Sequence, residues 1–346
     1  MVRSRTTGKP ARRHVSVLPG IKQGMIQLSR QRRVLTQLIA VCGCAVGVAN
    51  AAPDAAAPAN TPLPVVVELY TSEGCSSCPP AESLASRLVA EQAKRDELNT
   101  KIKAEQGKTP SAAAPDAPKG AAPGNAGAPG TPAAAEQEAD VIVLAFHVDY
   151  WDRLGWKDRF STSEASARQR RIASNLGESV YTPMMVVQGG AAMVGSDESR
   201  VRAQIEQLSK PAAKRSPGGA KASPSDRVSV TVAVEDAKAG DALNVETMVS
   251  PEDKSRALPP GVTVLIALVE DGLETKVGSG ENAGRSLTHN HVVREFAERT
   301  VADGKAKSEL RIAKDVKRER ASVITVAYDA SGRVIGAVVV PVGKLK

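Results

Sequence analysis

What most constrains this chain is a short apolar run that delivers two cysteines to the start of a helix. Pro64 to Tyr70 reads PVVVELY, β-branched and apolar apart from Glu68, which suits a buried strand. Thr71 to Gly74 is a polar turn, and Cys75-Ser76-Ser77-Cys78 follows at once. A helix is predicted from Ser76. Pro79 and Pro80 are tolerated in its first turn, where backbone N–H groups have no partner in any case. Leu84, Leu88 and Val89 then repeat at helical spacing, carrying the prediction to about Lys103.

The thiolate is the reactive form of cysteine, and a helix N-terminus favours negative charge. Two intervening residues let both sulfurs meet on one turn. In this arrangement Cys75, just ahead of the helix and exposed, is the expected attacking sulfur. Cys78, one turn on and more buried, is expected to resolve the mixed disulfide. The same spacing serves zinc sites, so a metal reading stands beside the redox one.

Only two other cysteines exist, Cys42 and Cys44, and they lie in an N-terminal segment with the form of an export signal. Arg30, Arg32 and Arg33 precede an apolar run from Val34 to Val48, and Ala49-Asn50-Ala51 has the small-x-small form of a cleavage site. The run is too short for a permanent membrane span. The long basic stretch ahead of it leaves two starts open, Met1 and Met25. Val41-Cys42-Gly43-Cys44 loosely resembles a lipoprotein box, but a cysteine before Gly43 is atypical there, so cleavage ranks above a lipid anchor at Cys44. The expected destination is the periplasm or the exterior, which is oxidising. After cleavage the 75/78 pair is the only thiol pair left. The loop it closes is too small to staple a fold usefully, because that entropic gain grows with loop length.

The signal also disposes of a nucleic-acid reading. The net charge is +8, yet residues 1–51 hold nine Lys or Arg and no Asp or Glu, so the remainder carries 8 − 9 = −1.

Further elements follow in order. Residues 52–63 read as a flexible leader. Residues 107–137 are an Ala/Pro/Gly insertion that buries too little surface to offset its ordering entropy. Val141 to Val148 is a second apolar strand. Ser161 to Asn175 is a helix, and Thr182-Pro183 leads into a third strand from Met184 to Val187. Gly189-Gly190 turns the chain into a short return strand, Ala191 to Val194, and Ser196 caps a last helix. Helical crossovers join the first three strands, so all three are expected to be parallel. Residues 211–225 are a Lys/Pro/Gly linker. Beyond it, strand candidates at 228–234, 242–249, 262–269, 289–296, 308–312, 322–328 and 333–340 suggest an antiparallel β-sandwich.

The phrases VELYTSEGCSSCPPAE, AFHVDYWDRLGWKDRFS, the ARQR run, VYTPMMVVQG and GENAGRSLTHNHVVREF resemble, in order, the blocks of the domain-of-unknown-function family DUF1223. The resemblance spans about Val65 to Val340. It implies a secreted bacterial protein with a thioredoxin-like fold, and it implies no reaction. The insertion around residues 104–139 departs from the family pattern at a surface-loop position. The expected architecture is therefore an α/β thioredoxin-like domain at 64–210, with a central mixed sheet flanked by helices. A C-terminal antiparallel β-sandwich-like domain follows at 226–346.

In thioredoxin-like folds a cis-proline opens the strand facing the CxxC, and Pro183 holds that place in the element order. The other reading is an ordinary proline before an edge strand. His147, Asp149, Tyr150, Trp151 and Asp152 stand at the carboxyl end of the second strand, on the rim where open sheets bind ligands. His147 either tunes the thiols and relays a proton or is a hydrogen-bonded histidine in the sheet. Trp151 and Trp156 either wall a peptide site or cover the sheet. Glu68 either acts as a base for the resolving thiol or faces solvent or pairs with an arginine. His289 and His291 alternate on a predicted strand and so share a face, although no further ligand completes a metal set there. The Arg168–Arg171 run reads as a solvated helix face.

The leading expectation is an exported thiol–disulfide oxidoreductase, with Cys75 as nucleophile and Cys78 as resolving thiol. It needs no cofactor and acts on a protein or small-thiol substrate. The alternatives are a copper or zinc carrier using Cys75, Cys78 and His147, and a non-catalytic interaction module. Oligomeric state is open.

Overall fold

The computed structural model describes residues 62–106, 139–210, 226–237 and 240–344. The predicted export signal at 1–51, nearly all of the predicted leader at 52–63, most of the insertion and the whole predicted linker at 211–225 lie outside these residues.

The first half follows the order read from the sequence: β1 (Val65–Thr71), α1 (Pro79–Gln106), β2 (Val141–His147), α2 (Ser163–Leu176), β3 (Met184–Val187), β4 (Ala191–Val194) and α3 (Glu198–Ser209). β1 and β2 are parallel as expected, but the third strand corrects the expectation: β3 runs antiparallel to β1, and β4 antiparallel to β3. β1, β2 and β3 are buried along their whole length, as their continuous apolar runs require. Alternation along β1 assigns its faces. Val65, Val67 and Leu69 meet Ala81, Leu84, Ala85 and Leu88 of α1, whereas Val66 and Tyr70 turn to the opposite core with Ala165 and Ala173 of α2. Thr162 caps α2 by accepting from the Ala165 N–H, and Gly177 ends it in the left-handed region.

The second half supplies β5 (Val228–Asp236), β6 (Ala242–Pro251), β7 (Thr263–Glu270), β8 (Leu273–Lys276), β9 (Ser286–His289), β10 (Val292–Thr300), β11 (Lys305–Arg311), β12 (Ala321–Tyr328) and β13 (Val334–Pro341). Here the structure departs from the expectation of a separate β-domain. Four of these strands extend the first sheet, giving one open mixed sheet of eight strands in the order β13-β12-β7-β10-β2-β1-β3-β4. The seam is a single parallel pair, Val292 beside Ala145, with the Ala145 N–H donating to the His291 carbonyl at 2.9 Å. β5, β6 and β11 form a three-stranded sheet whose apolar face packs on β7 and β12. At Gly336 the two layers approach so closely that a Cβ would stand 2.6 Å from the Val228 carbonyl oxygen.

Two features explain why the halves join. The edge of β2 is as apolar as its centre, so leaving it open would expose a row of unpaired N–H and C=O groups. Arg168 of α2 also reaches across to the second half. It binds Glu68 through Nε and Nη2, both at 2.9 Å, and also contacts Tyr328 and Glu298. The Arg168–Arg171 run is thus only half a solvated face: Arg170 and Arg171 are exposed, but Arg168 is 4% exposed and Gln169 is fully buried.

The predicted strand at 289–296 is in fact two strands. β9 ends at His289 and β10 begins at Val292, with His291 at φ 51° between them. His289 and His291 therefore do not share a face. β9 pairs with β8 in a hairpin not anticipated from the sequence, and its connecting loop, residues 277–285, lies over the cysteines.

Candidate functional site

Cys75 and Cys78 are joined by a disulfide, with their Cα atoms 5.4 Å apart, where β1 hands over to α1. The Cys75 N–H donates to the Ser72 carbonyl, and the Cys78 carbonyl accepts from the N–H groups of Ala81 and Glu82, opening the helix. Ser76 and Ser77 are exposed, but both cysteines have 0% exposure. The expected exposed Cys75 is therefore corrected. Its cover comes from the second half. The buried Asn282 amide donates to the carbonyls of Glu73 and Cys75 at 2.8 and 2.9 Å, and the Ser76 N–H donates to Glu281 at 3.0 Å. Trp151 packs beside Gly74 from the other side, where a Cβ on Gly74 would meet the Trp151 Cβ at 3.3 Å.

Behind the disulfide, three carboxylates and two histidines share a buried space. His147, at the end of β2, has its Nδ1 2.6 Å from Asp158 Oδ2, and its ring stands edge-on to His289 with centroids 5.2 Å apart. His289 Nδ1 is 2.7 Å from Glu82 Oε2, and its Nε2 is 3.4 Å from Glu73 Oε1. Burial opposes charge on His289, but Glu73 and Glu82 outweigh it and raise its pKa from 6.5 to about 10. Burial likewise disfavours the Glu82 carboxylate, while His289, His147 and the Thr71 hydroxyl more than offset this and hold its pKa below the ordinary value. For Asp158, burial is again outweighed, here by His147 and the backbone N–H groups of Glu73 and Phe160.

The remaining sequence candidates are placed as follows. Glu68 is not beside the thiols. It faces the α2 side of β1, bound by Arg168, Tyr70 and Tyr328. Burial raises its pKa, but the Arg168 guanidinium and these hydrogen bonds bring it below the usual carboxylate range. Asp149 is tied to Ser166 of α2, and Asp152 accepts from Ser161 and from the Asp158 N–H. The Trp151 indole donates to Thr182 Oγ1 at 2.8 Å, and the Trp156 indole to Glu73 Oε2 at 2.8 Å. Both tryptophans thus fasten loops over the site. The Thr182–Pro183 bond is cis, and the Pro183 carbonyl accepts from the Gly195 N–H. His291 Nδ1 lies 2.9 Å from the Val143 carbonyl at the sheet seam.

The alternative ligand set of Cys75, Cys78 and His147 is not assembled. The sulfurs are bonded to each other, and the grouping of ligand atoms that the described residues do form is Glu82, His147 and His289. Glu73, Glu82, Asp158 and Asn282 were not singled out as site residues from sequence, and His289 was weighed only with His291, as an incomplete metal pair. The signal available was the GSGENAG segment between two short alternating runs, which reads as a hairpin loop.

Residues 66–103 and 128–327 match the family described as "Protein of unknown function (DUF1223)", and the chain belongs to that family. No curated protein matches the sequence. Among solved structures, a protein from Agrobacterium tumefaciens is 22% identical, with 82% of this chain and 97% of that one covered at a TM-score of 0.47. HBP35 of Porphyromonas gingivalis is 12% identical, covering 83% of this chain and 77% of its own at a TM-score of 0.44. A domain of the outer membrane lipoprotein Omp28 from the same organism is 16% identical, over 34% of this chain and 88% of that one, at a TM-score of 0.20.

Proposed function

We propose that this member of the family is an exported thiol–disulfide oxidoreductase whose redox centre is the Cys75–Cys78 disulfide. One observation carries the reading: the only described cysteines are bonded to each other at the N-terminus of α1. A bridge between residues three apart adds little to stability, whereas the same position favours a thiolate once the bond is broken. The strand order β2-β1-β3-β4, with α1 and α3 on one face and α2 on the other, supports a thioredoxin-like reading of the first half. The export signal is consistent with a compartment where such a pair cycles. Among the described residues no helix is long and apolar enough to cross a membrane.

In the reaction, a substrate thiolate attacks Cys75 Sγ, forming a mixed disulfide and releasing Cys78 as a thiolate that takes up a proton. A second substrate thiol attacks the substrate sulfur and frees Cys75. Two substrate thiols become a disulfide, and two electrons and two protons pass to the cysteine pair. The substrate reaches Cys75 when residues 277–285 swing aside, so the loop selects what can react. Incubation with a glutathione redox buffer, followed by mass measurement of the alkylated protein, tests the reading. A reversible change of two thiols, absent in Cys75→Ser, is expected, and a pair that stays oxidised at every poise argues against it.

A further inference from the structure

The hairpin that covers the disulfide also completes a second set of groups that the thiol chemistry does not use. We infer that Glu82, His147 and His289 form a binding site for a divalent transition-metal ion of the zinc class. One ligand atom from each lies within 4.8 Å of the other two, and all three residues are buried. They arrive from α1, the end of β2 and the end of β9, so only the complete fold assembles them. Two imidazole nitrogens and a carboxylate oxygen are a donor set that zinc takes with three protein ligands, leaving a fourth position open.

His147 points to a ligand independently. Asp158 engages its Nδ1 at 2.6 Å and fixes the ring, whereas its Nε2 has no partner although the side chain has no exposure. A buried ring nitrogen left unpaired is costly. An imidazole oriented by a carboxylate on one nitrogen and open at the other is how proteins present histidine to a metal. His289 lies between two carboxylates, its Nδ1 2.7 Å from Glu82 Oε2 and its Nε2 3.4 Å from Glu73 Oε1. Glu73 Oε1, also without a hydrogen-bond partner, stands at the rim of the cluster as a further oxygen donor. His147 lines a cavity of about 240 Å³ together with Phe146, Phe160, Thr162 and Arg294.

The site contains no sulfur, so it goes beyond the redox reading and does not depend on it. The test uses the full chain in its disulfide form, stripped with a chelator and titrated with zinc by calorimetry, with cobalt(II) as a spectroscopic stand-in. One zinc per chain is expected. The cobalt form should show d–d bands without thiolate-to-metal charge transfer, and a variant with Cys42, Cys44, Cys75 and Cys78 all replaced by Ser should bind equally. Asp158→Asn should weaken zinc binding about 10–100-fold by releasing the His147 ring, and His147→Gln or His289→Gln should weaken it further. The inference is overturned if folded wild-type protein binds no zinc, if binding disappears with the cysteines, or if folded His147→Gln binds as tightly as wild type. Should the histidine variants fail to fold, the wild-type stoichiometry and the four-cysteine variant decide the matter.

Discussion

Asn282→Ala is the substitution that most sharply tests how the second half governs the disulfide. Asn282 is fully buried, and its amide donates to the Glu73 carbonyl at 2.8 Å and the Cys75 carbonyl at 2.9 Å. Truncation leaves the Glu73 carbonyl without its donor, whereas the Cys75 carbonyl keeps the Cys78 N–H at 3.2 Å. An unpaired carbonyl that stays buried costs about 1–3 kcal/mol, which gives about 2 kcal/mol against the closed loop. If reduction proceeds through a loop-open state in rapid equilibrium, about 2 kcal/mol raises the open population roughly 30-fold, at tenfold per 1.4 kcal/mol. The assay follows disulfide reduction by dithiothreitol under native conditions, with alkylation and mass measurement at timed points, alongside urea unfolding. Faster reduction by roughly that factor is expected, with a modest loss of global stability because the loop opens locally. Equal reduction rates in Asn282→Ala and wild type would refute the view that this loop controls access.

Other outcomes follow from the Glu68 network. Arg168→Met leaves a buried carboxylate without its counter-ion and should cost about 3–5 kcal/mol in urea unfolding, with much of the loss recovered by adding Glu68→Gln. A double variant as unstable as Arg168→Met would show that packing, and not charge, is what Arg168 supplies. The network also sets an acid limb. Because the folded pKa of Glu68 lies below its unfolded value, its contribution is complete above about pH 4.3 and fades as the pH falls towards the folded pKa. Stability curves between neutral pH and pH 3 should therefore fall less steeply for Glu68→Gln than for wild type. Parallel curves would contradict the assignment.

How far the sequence revealed these features depends on distance along the chain. The step from β1 through Cys75 and Cys78 into α1 is local, so apolar run, turn and helix spacing were enough to place it. Pro183 and the β3–β4 hairpin were legible for the same reason. Glu68 was visible as an oddity in an apolar strand, but its partners Arg168 and Tyr328 lie 100 and 260 residues away, and no periodicity points across such gaps. The joining of the two halves hangs on one registered pair, Val292 with Ala145, and the lysine-rich linker pointed the other way. The β8–β9 hairpin left only a loop signal, GSGENAG, because LETK and SLTH are too short and polar to read as strands on their own. Yet it brings Asn282 and His289 to the cysteines, so the exposed nucleophile expected from local pattern is a covered one in the fold.

The most direct measurement of the central claim is trapping in cells. A Cys78→Ser chain, exported and recovered under acid quench, should carry a partner or a small thiol in a disulfide with Cys75. That adduct should be released by reductant and absent from the Cys75→Ser and double-serine chains. A Cys78→Ser chain recovered with Cys75 as a free thiol, even when Asn282→Ala opens the loop above it, would contradict the account.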